Sequence, residues 1–278
     1  MINLYHELSR KCSKTVTQKY STSFSRAIKL LHKDLQQPIY NIYGFVRFAD
    51  EIVDTFHQFD KKALLTEFKS DTYNAIRRKI SLNPILHSFQ QTVNDYNIDL
   101  TLVEGFFKSM ESDLDNRIFD NSQYQEYVYG SAEVVGLMCL WIFCDRDKKL
   151  FTELSPNARS LGAAFQKVNF LRDARSDYND LERTYFPNVD FDNFTNRMKG
   201  DIEDEIALDF ANGYVGITQL PAAAKFGVYV AYKYYLSLFN KIKKTNAQVI
   251  LEKRVRITNY SKAFILVRAG VKNQLKLI

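Results

Sequence analysis

Apolar residues recur at three- and four-residue intervals through most of this chain, the spacing that builds one face of an α-helix. The pattern predicts helices around residues 3–18, after the hydroxyl cluster that begins at Ser21, and from Pro38 through Asp54. Further helices are predicted near 60–80, 84–96, 99–117, 123–145, 156–179, 199–216, 220–240 and 258–276. Ser21 and its neighbours can cap the second helix, and Pro38 is tolerated in a first turn. The polar stretch 181–193, with Pro187, breaks the periodicity and reads as the clearest loop. Only 10 Gly and 5 Pro in 278 residues leave few turn formers for an all-β fold, so the fold class is all-α, one domain over 1–278.

Two of these helices carry oxygen ladders inside apolar sequence. Asp50 and Asp54 form one; Asn169, Asp173 and Asp177 form the other. A four-residue repeat stacks such side chains on one side of a helix at roughly 6 Å intervals. Carboxylate pairs at this spacing usually belong to a solvated face, but here residues 39–56 and 161–173 are largely apolar or small, which argues for buried helices. Buried acids need a counter-charge. Two facing ladders would hold four carboxylates and one amide, a hard-oxygen set suited to Mg²⁺ and, through it, a diphosphate. The 181–193 loop follows the second ladder directly and is placed to form a flap over such a cleft.

Composition narrows the alternatives. Hydrophobic content of 46% supports a large core. No basic-then-apolar leader and no uninterrupted run of about 18 apolar residues is present, the expectation for a soluble or peripheral protein. Cys12, Cys139 and Cys144 are odd in number and lie in predicted helices, which fits a reducing cytoplasm. His6, His32, His57 and His87 are scattered, so a transition-metal site is not expected. The net charge of +6 favours anionic partners, but no nucleic-acid motif accompanies it. The basic run 241–244 with 253–256 is read equally well as solvated surface.

The motifs jointly resemble the squalene and phytoene synthase family of head-to-head prenyl diphosphate synthases. The matching positions run from Tyr20–Phe24 through Tyr43, Arg47 and the Asp50/Asp54 pair to Tyr127–Gly136, the Asn169/Asp173/Asp177 ladder with Arg172, Arg183–Pro187 and Lys262. The appearance is closest to bacterial phytoene synthases, because the chain is short, shows no C-terminal anchor and reads Tyr129-Gly130 ahead of Val134-Val135-Gly136.

The resemblance implies an isoprenoid synthase helical bundle around a deep central cavity with both ladders at its mouth. It also implies that two geranylgeranyl diphosphates join through a cyclopropylcarbinyl diphosphate to give phytoene for carotenoid biosynthesis, with Mg²⁺ (or Mn²⁺) and without NADPH. Squalene or dehydrosqualene from farnesyl diphosphate is the alternative. By the same resemblance Asp50, Asp54, Asn169, Asp173 and Asp177 hold metal, and Arg47, Arg172, Ser21 and Lys262 reach the diphosphates. Phe24, Tyr43 and Tyr129 are the candidate cavity wall, where ring faces favour cationic character. An insoluble C40 product implies peripheral membrane association.

Two departures stand out. Glu133 sits where the family often has a small residue, either near the metal or capping an arginine. In 257–262 only Lys262 keeps a clear charge, and Tyr260 is expected to replace a basic phosphate contact by a hydroxyl.

Overall fold

The computed structural model describes residues 2–115, 118–179, 183–187 and 189–278. The described residues form helices α1 (Ile2–Tyr20), α2 (Thr22–Ile28), α3 (Lys33–Asp54), α4 (Lys61–Arg78), α5 (Pro84–Tyr96), α6 (Leu100–Asp115) and α7 (Asn121–Val128). A π-helical turn at Tyr129–Glu133 leads into α8 (Val134–Phe143), followed by α9 (Lys148–Asn179), α10 (Asn196–Gln219), α11 (Ala222–Lys243), α12 (Ala247–Glu252) and α13 (Asn259–Gln274). The fold class is all-α, as the periodicity predicts.

Local chemistry explains most boundaries. Ser21 caps α2 by accepting from the Phe24 amide, and Asp60, Asn83, Thr195 and Thr258 do the same for α4, α5, α10 and α13. Pro38 does not open its helix, which begins at Lys33. A proline at that position removes only the bond to the Asp34 carbonyl, next to an exposed side chain in the first turn. Likewise α9 starts eight residues before Pro156, where Asp147 accepts from the Lys149 and Leu150 amides. The short α12 has too few residues to show a periodic pattern and was not predicted.

The segment predicted as one helix over 123–145 is three pieces, because the π turn inserts an extra residue in the ladder. That turn is pressed between α6 and α9: a Cβ on Gly130 would meet the Gly105 carbonyl oxygen at 2.4 Å, and one on Gly162 would meet the Ala132 carbonyl oxygen at 2.7 Å. By length and composition Asn121–Phe143 is apolar enough to cross a membrane, but it is half buried within this packing.

Buried side chains gather in two main clusters. One joins α3–α6 with α8 and contains the stacked Phe45 and Phe89, 3.9 Å apart; the other joins α7 with α9–α13. The cavity lies where the clusters meet. The described part of the predicted 181–193 loop lies against the acids of the mouth, Arg183 reaching Asp54 and Asp113 and Tyr185 reaching Asp113. Arg183, Tyr185, Phe186 and Phe191 are buried, and Asp180, Leu181, Glu182 and Asn188 lie outside the described residues.

Candidate active site

The two ladders open onto one cavity of about 610 Å³, lined by Asp50 and Asp54 of α3 and by Asn169, Asp173 and Asp177 of α9. This volume is within the usual range for ligand cavities. Asp113 of α6 joins them, a carboxylate the sequence reading missed because its helix shows no ladder. Below the acids the wall turns apolar along α9, past Phe165, Leu161 and Ala158 to Leu154, and is closed by Leu140, Phe143 and Leu220.

Electrostatics mark the mouth as a place that wants cations. Burial, then the neighbouring Asp54, pushes the Asp50 carboxyl up to about 7. Burial raises Asp113 to about 7 against the pull of Arg183, and burial with the Asp173 charge raises Asp177 to about 8. Asp54 acts on all three, which shows that the ladders face each other within electrostatic reach.

Four arginines partly offset this charge. Arg172 forks onto its neighbour Asp173, with Nε 3.0 Å from Oδ1, and Arg254 Nε reaches the same Oδ1 at 2.7 Å. Arg183 Nη1 donates to Asp54 at 3.0 Å and to Asp113 at 3.1 Å, while the Tyr185 hydroxyl donates to Asp113 at 3.0 Å. Arg47 binds Glu51, lies 3.8 Å from Asp50 and sits over the Tyr20 ring. Its Nε is buried without a partner, a donor left for an anion.

Phe24 and Tyr43 line the cavity, their rings 5.8 Å apart, and Phe24 also touches Tyr235, which stacks on Phe165 at 4.1 Å. Ser21 lines the mouth beside them. Burial raises the Tyr43 and Tyr127 hydroxyls, so both are neutral donors at ordinary pH.

The expectations for Tyr129, Lys262 and Tyr260 change, and the two alternatives for Glu133 are decided. Tyr129 is not among the lining residues: the π turn carries it outward, over Arg159, and Tyr127 takes the place on the wall. Glu133 caps that same Arg159, the second of its two expected placements. Lys262 donates to Thr22 Oγ1 at 2.8 Å and Tyr260 is 89% exposed, and neither lines the cavity. The basic side chain that does arrive from the C-terminal region is Arg254, in the run 253–256 that the sequence leaves open between anion contact and solvated surface.

Mg²⁺ fits the donor set in a particular way. Among the described residues no three carboxylate, histidine or cysteine groups converge into a ready cage. A small hard cation that keeps several waters needs only one or two carboxylates plus substrate phosphates. Asp50 and Asp177, pushed up by burial and then by their neighbours' charge, with an orphan arginine donor beside the ladders, match that requirement.

The chain belongs to the squalene/phytoene synthase family, whose sequence profile matches residues 17–261. Members condense prenyl diphosphates head to head and are prenyltransferase-type enzymes. The chain is 25% identical over 247 residues to a 15-cis-phytoene synthase of Paracoccus sp. (strain N81106 / MBIC 01143), covering 81% of this chain and 79% of that protein. It is 24% identical over 234 residues to a 4,4'-diapophytoene synthase of Staphylococcus haemolyticus (strain JCSC1435), covering 81% and 78% respectively. A crystal structure of a dehydrosqualene synthase superposes with a TM-score of 0.83 at 19% identity, covering 98% of both chains. A squalene synthase structure from Alicyclobacillus acidocaldarius gives 0.75 at 18% identity, covering 87% of this chain and 95% of that one. These structures support the isoprenoid synthase fold.

Proposed function

We propose that this protein joins two geranylgeranyl diphosphates into a cyclopropylcarbinyl diphosphate, then rearranges that intermediate to phytoene, in carotenoid biosynthesis. The observation that carries the reading is the union of both acidic ladders over one apolar cavity. Its depth supports the longer substrate. Leu154 and Asp173 both line it and lie roughly 28 Å apart along α9, at a helical rise of ~1.5 Å per residue. An extended C20 tail needs roughly 20 Å and a C15 tail roughly 15 Å, given zigzag C–C bonds of ~1.5 Å, and the diphosphate and its cation occupy the remaining ångströms nearest Asp173, so only the longer tail approaches Leu154.

Asp50, Asp54, Asn169, Asp173 and Asp177 would hold Mg²⁺, or Mn²⁺ in its place, which supplies positive charge to the departing diphosphate. Arg47 offers its free Nε to the same oxygens. Arg172 and Arg254 fix Asp173 in place. Each condensation half-reaction breaks one C–O bond, releases one diphosphate and ends in loss of one proton, so no reductant such as NADPH is consumed. The wall of Phe24, Tyr43, Phe165 and Tyr235 excludes water and presents ring faces to the carbocations. Because the Tyr43 hydroxyl stays protonated, the released diphosphate is the available proton acceptor. The expected setting is the cytoplasm, peripheral to a membrane that receives the C40 hydrocarbon.

Purified protein given Mg²⁺ and geranylgeranyl diphosphate is expected to yield phytoene without NADPH, with two diphosphates released per product. Absence of diphosphate release would overturn the reading. The likeness to a dehydrosqualene synthase structure favours one second reading, the C15 reaction. Farnesyl diphosphate as sole substrate, with and without NADPH, separates squalene and dehydrosqualene from phytoene.

A further inference from the structure

Helix α13 is apolar on two faces. Ile265, Leu266 and Ala269 turn inward and pack on the core that includes α11. On the outside, Tyr260, Phe264, Val267, Val271 and Leu275 follow one another at four, three, four and four residues, a single stripe along the helix. Phe264 is 68% exposed and Val267 67%, and nothing among the described residues covers the stripe. An isolated exposed apolar residue needs no explanation, but a continuous helical stripe marks an interaction surface.

Charge identifies the partner. Residues 253–278 contain seven Lys and Arg and no Asp or Glu, more positive charge than the net +6 of the whole chain. The remainder is therefore close to neutral, and the excess positive charge of this protein resides in the segment that carries the stripe. Arg268 lies next to it around the helix and Lys272 farther round on the same side, Lys276 follows the helix end, and Lys262 faces Thr22 on the opposite side. A second copy of the chain is a poor occupant: a two-fold contact through this face would bring like charges together. An apolar stripe edged with lysine and arginine suits the boundary between acyl chains and anionic headgroups.

We propose that the outer face of α13 docks this protein onto bilayers containing anionic phospholipid, with the stripe inserted and the flanking cations at headgroup level. The position of the helix gives the docking a use. Lys262 near its start donates to Thr22, next to Ser21 of the cavity mouth, and Arg254 just before it lines the cavity. A bilayer held by α13 therefore lies beside the opening through which an apolar tail enters and a water-insoluble hydrocarbon leaves. The surface locates the membrane association expected of the proposed function, and binding is read separately from turnover.

The test is vesicle co-sedimentation of the full chain. Wild type is expected to bind phosphatidylglycerol-containing vesicles at low salt, to bind phosphatidylcholine vesicles much less, and to lose binding at high salt. Phe264→Asp with Val267→Asp should reduce the bound fraction by about tenfold or more. Arg268→Gln, Lys272→Gln and Lys276→Gln together should remove the preference for anionic lipid. Far-UV circular dichroism and turnover of detergent-dispersed substrate should be unchanged in both variants, since none of these side chains lines the cavity. Wild type that ignores anionic vesicles would overturn the proposal, as would variants that bind like wild type. A wild-type dimer in solution that Phe264→Asp converts to monomer would assign the stripe to self-association instead.

Discussion

Arg183 Nη1 lies 3.0 Å from Asp54 Oδ1, so the last acid of the first ladder is tied to the segment that follows the second. The same nitrogen donates to Asp113, and both Arg183 and Asp113 are buried while Asp54 is half exposed. The buried half of this fork dominates its energetics, since an exposed ion pair contributes little. Arg183→Met should lower unfolding stability by about 3 kcal/mol, the low end for breaking a buried pair. It falls at the low end because Asp113, already raised to about 7, can take a proton when its partner is lost. Urea unfolding at neutral pH checks this, and Arg183→Lys should recover only part of the loss.

Stability of the metal-free protein should fall as pH rises from about 4 to about 8. Asp50, Asp113 and Asp177 titrate near 7, 7 and 8 in the fold, above an ordinary aspartate. Across that window the native state binds more protons than the unfolded chain, and linkage then lowers stability with increasing pH. A thermal melt in chelator should show a lower Tm near pH 8 than near pH 5. Mg²⁺ should raise Tm more at the higher pH, because only deprotonated ladders bind it. A flat or rising metal-free Tm would contradict the arrangement.

How much of this was legible in sequence depended on range. The ladders were visible because their spacing is a property of one helix, and apolar flanks indicated burial. Asp113, Arg183 and Arg254 gave no local signal of their roles: each acquires its partners from a distant segment. The misplacement of Tyr129 has a different cause. A single-residue insertion in the helical ladder rotates everything within the turn, and no composition rule announces a π turn in Tyr129–Glu133. Pro38 and Pro156 stand at the starts of their predicted ranges, yet the fold holds both inside longer helices.

Asp50→Ala and Asp173→Ala should each reduce kcat by about a thousandfold or more, the several kcal/mol expected when charge stabilisation of a leaving group is lost. The two differ in their structural consequences. Removing Asp50 relieves repulsion from Asp54 and should leave stability equal or improved. Removing Asp173 leaves Arg172 and Arg254 without their shared acceptor, so Tm should drop modestly. Steady-state kinetics with paired melts separates the outcomes; loss of helicity in either variant would recast the ladders as structural.

Tyr129→Phe should change kcat/KM by less than about twofold, within the small effects of surface substitutions. Tyr43→Ala should reduce it by at least tenfold. The contrast follows from placement: Tyr43 touches Phe24 on the cavity wall, whereas Tyr129 lies over Arg159 outside it. Equal losses in the two variants would show that the π turn moves Tyr129 inward during turnover.

The floor of the cavity offers the sharpest test of chain length. Leu154 meets Leu140 and Leu220 there, and all three line the cavity. Tails that reach this depth are sensitive to its volume, and tails that stop short of it are not. Leu154→Phe advances the floor into the cavity at an overpacking cost of about 1–3 kcal/mol in stability. Discrimination of roughly the same size between tails of different length corresponds to about a tenfold change. If the C20 substrate is the natural one, kcat/KM for geranylgeranyl diphosphate should fall about tenfold relative to that for farnesyl diphosphate. Competition between the two diphosphates, read from product lengths, gives the ratio directly. An unchanged ratio in a folded variant would mean that neither tail reaches Leu154, and the depth argument for the longer substrate would be lost.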